Sequence, residues 1–187
     1  MYSFDFIEDI EKFKLYESRL ISLLSKSIED ESILGFDENF EKNNQIEAYL
    51  EALRQNLKNK TLVIVVGIDR NDEEKIISTC QIKTSLQNTT KHIADLQKGI
   101  IDPNYRGSSL LKTTLNQIAS YCLCKDIELL TLDVRENSPA HKIWLKCGFR
   151  VYGILEDYSR LNKEKFKGIY MAQSSRELFE LTQPKLN

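Results

Sequence analysis

The run Asp102-Pro103-Asn104-Tyr105-Arg106-Gly107-Ser108-Ser109-Leu110-Leu111-Lys112 holds the residues best suited to chemistry. An apolar segment ends at Asp-Pro and turns through Arg-Gly into a second apolar segment with helical spacing, so the loop delivers the chain to a helix start. The first N–H groups of a helix have no intrahelical acceptor, and the macrodipole places positive potential beside them. Such a start suits an anion. Arg106 and Lys112 add full charges, and a pyrophosphate fits the combination. Without a ligand the same groups meet water.

That loop needs a strand before it and a helix after it. Lys91–Ile101 supplies the strand, and the stripe Leu111, Leu115, Ile118 and Cys122 predicts the helix. Ile127–Val134 reads as the next strand. Ser138 then stands at an N-cap, Pro139 at the first helical position and Gly148 at a left-handed stop, with Ala140, Ile143, Trp144 and Cys147 on one face. Phe149–Leu161 and Phe166–Gln173 close the chain as strands, and the strand–helix alternation implies parallel pairing with a right-handed crossover. Upstream, Tyr2–Phe6 is a short strand, and Ile10, Phe13, Leu20 and Leu24 mark an amphipathic helix over Ile7–Ile28. Glu29-Asp30-Glu31 opens a loop through Asn43. A second helix follows through Ile46, Tyr49, Leu50, Leu53 and Leu57, with Asn43 or Asn44 as its cap. Thr61–Ile68 is rich in β-branched residues, as in a strand buried on both faces, and Lys75–Lys83 returns antiparallel after the turn Asp69–Asp72.

The 187 residues suffice for one well-buried core, and a single domain over 1–187 is expected. The longest apolar run, Leu62–Val66, is too short to cross a bilayer, and the opening MYSFDFIEDIEKF is not a secretory signal, so a soluble cytoplasmic protein without membrane partners is expected. Four cysteines without such a signal are expected to stay reduced. Cys122 and Cys124 point to different faces of a helix and the two histidines, His92 and His141, are far apart, so no metal site is expected. Residues 1–60 carry 13 acidic and 8 basic side chains, a net of −5, while the remainder is +3. A basic half suits a polyanionic ligand and an acidic half a cationic one, although a solvated helix surface has the same composition. The overall charge of −2 and the lack of a basic stripe disfavour nucleic acid.

With these elements placed, the run Gly99–Leu111 resembles the acetyl-CoA-binding motif of the GNAT acetyltransferase superfamily, and Asn137–Phe149 resembles the motif that follows it. The resemblance is specific over about residues 91–173. It implies a mixed α/β fold, a mostly antiparallel sheet with one splayed parallel pair and about four helices. It places the acetyl-CoA-binding and catalytic core at 91–173 and a helical acceptor-side part at 1–60. By the same resemblance, Ile100 and Ile101 offer main-chain bonds to the pantetheine arm, lying like an added strand. Arg106, Gly107, Ser108, Ser109, Leu110, Leu111 and Lys112 cradle the pyrophosphate, and Asn137 contacts the arm from the neighbouring strand end. Ser109 and Leu111 stand where relatives carry Gly and Gly or Ala. The Ser109 Cβ narrows the cradle, and Leu111 is better explained by its place in the helix stripe.

The implied activity is transfer of an acetyl or short acyl group to a primary amine by direct attack. The acceptor is a small molecule or a protein or peptide, and the enzyme a monomer or homodimer. Asp133, in Asp-Val-Arg, resembles an acidic position that serves as base in some relatives, and Asp95 is the second candidate; each also suits an ordinary strand carboxylate paired with a base. Trp144 replaces a tyrosine that protonates the leaving thiolate in relatives. Its indole cannot act as an acid, so it reads as packing or cofactor wall, leaving Tyr158, Tyr152 or water for the proton. Glu29, Asp30 and Glu31 form an acidic acceptor wall suited to a cation. The same departures also fit a non-catalytic acetyl-CoA-binding regulator of a partner protein.

Overall fold

The computed structural model describes residues 2–30, 44–161 and 163–184, without the side chains of 29, 30, 73, 74 and 161. Seven strands form one sheet: β1 (Tyr2–Ile7), β2 (Leu62–Asp69), β3 (Asp72–Thr84), β4 (Ile93–Ile101), β5 (Leu129–Arg135), β6 (Arg150–Leu161) and β7 (Glu164–Ser174). Their order is β1-β2-β3-β4-β5-β7-β6. The helices are α1 (Ile10–Asp30), α2 (Gln45–Lys58), α3 (Leu110–Cys124), α4 (Pro139–Lys146) and α5 (Ser175–Thr182), with one 3-10 turn at Pro103–Tyr105. The chain is mixed α/β, with β4 and β5 as its parallel pair.

Two compact units share these elements. The first runs to Thr84 and adds Gln97–Thr114; the second comprises Ser85–Leu96 and the chain from Leu115. In the first, α1 and α2 lay their apolar stripes on β2 and β3, burying Phe13, Leu24, Leu50, Leu57 and Ile64 together with Ile100. Each such side chain contributes about 1.5–3 kcal/mol through removal from water. In the second, Ile118, Leu130, Phe149, Met171 and Leu178 are buried.

Several local expectations change. The first helix continues through Asp30, so the acidic stretch begins inside α1. Asn44 occupies the cap position of α2 in a left-handed conformation and makes no side-chain capping bond, while Asn43 lies outside the described residues. Ser138 does cap α4, its Oγ accepting from the His141 N–H, and Gly148 has φ +86. The expected apolar face of α4 is not buried: a two-turn helix covers little, and Ile143 is 38% exposed.

Direct parallel pairing holds for one crossover; across the other, β5 and β6 run in the same direction but do not pair. Pairs Ile93–Leu129, Ala94–Leu130 and Asp95–Thr131 join β4 to β5. β5 is followed in the sheet by β7, paired antiparallel from Leu129–Ser174 to Arg135–Gly168, and β6 lies outside it. Alternation explains the choice, because β7 carries the buried Ile169 and Met171 an interior strand needs, whereas Val151, Tyr152, Ile154 and Leu155 of β6 are exposed. The final helix, α5, had no apolar run long enough to announce it; Ser174 caps it by accepting from the Glu177 N–H.

Candidate active site

In the first unit the loop after β4 is tied down from its first residue. Asp102 is 1% exposed. Its carboxylate accepts from Lys26 Nζ at 2.8 and 2.9 Å and from the Asn104 N–H at 2.9 Å, with Lys75 Nζ at 3.5 Å. Burial alone would raise its pKa; the bonds from Lys26 and Asn104 and the Lys75 charge hold it below the ordinary carboxylate value. The Asp102 N–H donates to the Ile77 carbonyl at 2.8 Å. Tyr105 donates to Asp69 Oδ2 at 2.6 Å and carries Lys75 over its ring at 4.9 Å. The bond to Asp69, and burial after it, push its phenol up to about 12.

Beyond this anchor the loop is open. Arg106, Gly107, Ser108, Ser109 and Lys112 are exposed. Gly107 has φ +75 with no atom within 4 Å of where a Cβ would stand, so the left-handed conformation, not crowding, calls for glycine. Ser108 Oγ donates to the Tyr105 carbonyl at 2.6 Å and accepts the Leu110 N–H at 3.2 Å, engaging the first helical amide. The next amides, those of Leu111 and Lys112, lie in the first turn, which has no intrahelical acceptors. The space at Gly107 and these amides fit a diphosphate. One expectation is corrected: Leu110, at 0% exposure, is the core residue, and Leu111 is only half-buried. The buried row is Leu110, Thr114, Ile118, Cys122, spaced by four; Thr114 is buried because its hydroxyl bonds Ser78 at 3.0 Å and the Leu110 carbonyl at 2.9 Å. On β4, Ile100 is buried and Ile101 half-buried, and Lys98 has φ +48, a left-handed residue within a strand that re-aims the residues after it.

In the second unit the two expected carboxylates share a sheet face. Asp95 pairs with Thr131, whose Oγ1 donates to Asp95 Oδ1 at 2.9 Å, and Asp133 lies two residues along the same strand. Asp133 is bonded by the Tyr158 hydroxyl and stands opposite Tyr170. Its partner is thus a phenol, not a base. Burial first, and then the bond to Asp133, raise the Tyr158 pKa far above ordinary, so this hydroxyl keeps its proton. Tyr170 stands edge-to-face with Tyr158 at 6.4 Å and with Tyr152 at 6.2 Å. Tyr152 is also raised, by burial and by the charges of Asp95 and Asp133. Sequence reasoning missed Tyr170; its signal was the alternation Gly168, Tyr170, Ala172 on the face opposite Ile169 and Met171.

Asn137, with φ +60, donates its main-chain N–H to His141 Nδ1 at 3.2 Å. Trp144 packs edge-on against Phe149 at 5.0 Å. The side chains of Glu29 and Asp30, and Glu31 altogether, lie outside the described residues. All four cysteines are free. Among the described residues, no group of three His, Cys, Asp or Glu is placed to hold a metal, and no helix is long and apolar enough to cross a membrane.

Comparison with known proteins adds three likenesses. A curated protein from Bacillus subtilis (strain 168), named as a candidate ribosomal protein bS18-alanine N-acetyltransferase, is 38% identical over 65 residues, 34% of this chain. The match spans under half, 43%, of that relative. The fold is shared with an acetyltransferase of the GNAT family from Streptococcus pneumoniae, at TM-score 0.68, 17% identity and coverage of 92% and 99% of the two chains. It is shared also with ribosomal-protein-S5-alanine acetyltransferase from Vibrio fischeri, at TM-score 0.70, 15% identity and 93% coverage of each chain. Residues 26–149, containing the anchored loop, α3 and α4, match the family model described as Acetyltransferase (GNAT) family, and the chain belongs to that family.

Proposed function

We propose that this chain is an acetyl-CoA-dependent N-acyltransferase acting on an amine. The observation that carries the reading is the loop between Asp102 and Lys112: anchored at one end by a buried carboxylate, open at Gly107, and delivered to a helix start flanked by Arg106 and Lys112. The main-chain amides of Leu111 and Lys112 hold the diphosphate, Arg106 and Lys112 neutralise it, and Ile100 and Ile101 offer main-chain groups to the pantetheine arm. Asn137 meets the arm from the end of β5, and Trp144 walls it. Acetyl-CoA, when bound, supplies a thioester whose C–S bond breaks as the amine nitrogen bonds to its carbonyl carbon; the ammonium loses two protons, one of which ends on the thiol sulfur.

Asp133 takes the first proton from the acceptor, and Asp95 sets the local charge. Tyr158, hydrogen-bonded to Asp133, hands a proton outward from Oη while receiving one from the protonated carboxyl, so the phenol is never ionised. That relay suits a hydroxyl whose pKa is far too high for it to act as a free acid. A carboxylate–phenol pair beside the acceptor favours an enzyme over a non-catalytic binder. The relatives named as ribosomal-protein alanine acetyltransferases support a protein amine as acceptor, a small amine being the other form. The expected acidic wall, Glu29, Asp30 and Glu31, belongs to this acceptor side as a proposal.

The test is calorimetry with acetyl-CoA followed by thiol release over a panel of amines and peptides. Asp133→Asn is expected to lower kcat about 10²–10⁴-fold while leaving acetyl-CoA affinity unchanged. Full turnover in that variant removes Asp133 as the base, and absence of acetyl-CoA binding removes the reading.

A further inference from the structure

Four aromatic rings of the described chain carry one of the protein's own cations: Arg19 over Tyr16 at 4.5 Å, Lys75 over Tyr105 at 4.9 Å, Lys125 over Tyr121 at 5.3 Å and Arg135 over Phe166 at 4.2 Å. Tyr152, Tyr158 and Tyr170 contrast with these. Among the described residues no lysine or arginine lies over any of the three, although two carboxylates, Asp95 and Asp133, share their sheet face. Their rings meet as two steep edge-to-face pairs, with interplanar angles of 62° and 85° and centroids 6.2 and 6.4 Å apart. A cation in the corner that two steeply inclined rings make, above a face of each, lies within reach of both, since the attraction over a ring face extends to about 6 Å from its centroid. The bond from Tyr158 to Asp133 draws its proton toward the carboxylate and enriches the ring, strengthening its face toward positive charge. Arg135, the nearby cation that acts on Tyr158, is already stacked on Phe166.

We propose that this face is an ammonium box: Tyr152, Tyr158 and Tyr170 hold the acceptor's protonated amine, and Asp95 and Asp133 supply the opposing charge. The proposal rests on the reading of this face as the acceptor side of the transferase, and it names the acceptor class, aliphatic ammonium ions. Neutral amines and amides are excluded from tight binding. Quaternary ammonium compounds, which have no proton to give and no lone pair to attack with, occupy the box without being N-acylated.

Choline and its neutral carbon isostere 3,3-dimethylbutan-1-ol separate charge from shape. Titrated into the full chain without acyl donor, choline is expected to bind at least 10-fold more tightly than the isostere. Tyr152→Leu is expected to weaken choline at least 5-fold and Tyr152→Phe by less than 2-fold; the residue is 62% exposed, so neither change threatens the fold. In turnover assays choline is expected to raise the amine KM and leave kcat unchanged. Equal binding of choline and its isostere, or unchanged choline binding in Tyr152→Leu, overturns the box, even if amines are acetylated. Failure to bind acetyl-CoA overturns the transferase reading separately, because the choline titration needs no cofactor.

Discussion

Tyr158 reaches Asp133 because the main chain beneath its ring is glycine. A Cβ on Gly168 would stand 2.3 Å from Tyr158 Cγ and 2.4 Å from Cδ2, well inside van der Waals contact. Gly168→Ala is therefore expected to displace the ring and break the bond to Asp133. Forcing a methyl into a filled space costs about 1–3 kcal/mol. A fall in kcat exceeding that of Tyr158→Phe, with a lowered Tm, is expected; a Tm within 1 °C of wild type, on the roughly 2–4 °C per kcal/mol scale for this size, would mean the ring is held otherwise. The sequence made Asp133, Asp95, Tyr152 and Tyr158 visible one by one, through residue type and strand position. Their convergence was not visible. β6 breaks register between Val151 and Gly153 and again between Leu155 and Ser159, and no local pattern states where a broken register brings a side chain.

Among the elements, the 3-10 turn at Pro103–Tyr105 owes its place to one carboxylate. Asp102 links α1, through Lys26, to the end of β4, and its lowered pKa fixes the sign of the pH dependence. A depressed carboxylate contributes stability that is complete above its unfolded value, about 3.9, and is lost as pH falls through its lower folded value. Asp102→Asn removes that acid-side contribution. Breaking fully buried ion pairs costs about 3–5 kcal/mol, and about 2 is expected here, because Lys26 and Lys75 are over a third exposed and can turn to water. Urea unfolding at pH 7 and pH 3 measures both; an equal deficit at the two pH values would refute the linkage. Helices α4 and α3 show, respectively, what local pattern reveals and what it hides. Ser138, Pro139 and Gly148 wrote both ends of α4, since a cap, a fixed φ and a left-handed stop are each residue-specific. In α3 the apolar pattern favoured Leu111 over Leu110, because buried Thr114, the partner of Leu110 one turn on, is polar, its hydroxyl bonded to Ser78 and to its own helix.

Over the whole molecule, a buried phenol is one of the groups that act on stability at alkaline pH. Burial pushes Tyr49 up to about 12, against the bond from Gln81 Nε2. A phenol raised in the folded state holds its proton longer than in the unfolded chain, so stability is complete below about pH 10 and falls as pH rises toward 12. Tyr49→Phe is expected to be less stable than wild type at pH 8 by about 1 kcal/mol, the Gln81 amide having lost its acceptor. That deficit should shrink or reverse between pH 10 and 12; parallel urea midpoints across the window would dismiss Tyr49 as a contributor.

The boundaries of the two compact units fall at Thr84, inside β4 after Leu96, and inside α3 after Thr114. Neither unit is one stretch of polypeptide. On a ribosome the first is fully made once residue 114 has emerged, yet Ser85–Leu96 must by then be spooled out and left waiting for partners that residues 115–187 still have to supply. Expression of either half from a split gene cut at a single point would strand a β-strand with the wrong fragment, so the two bodies are inherited, translated and lost together.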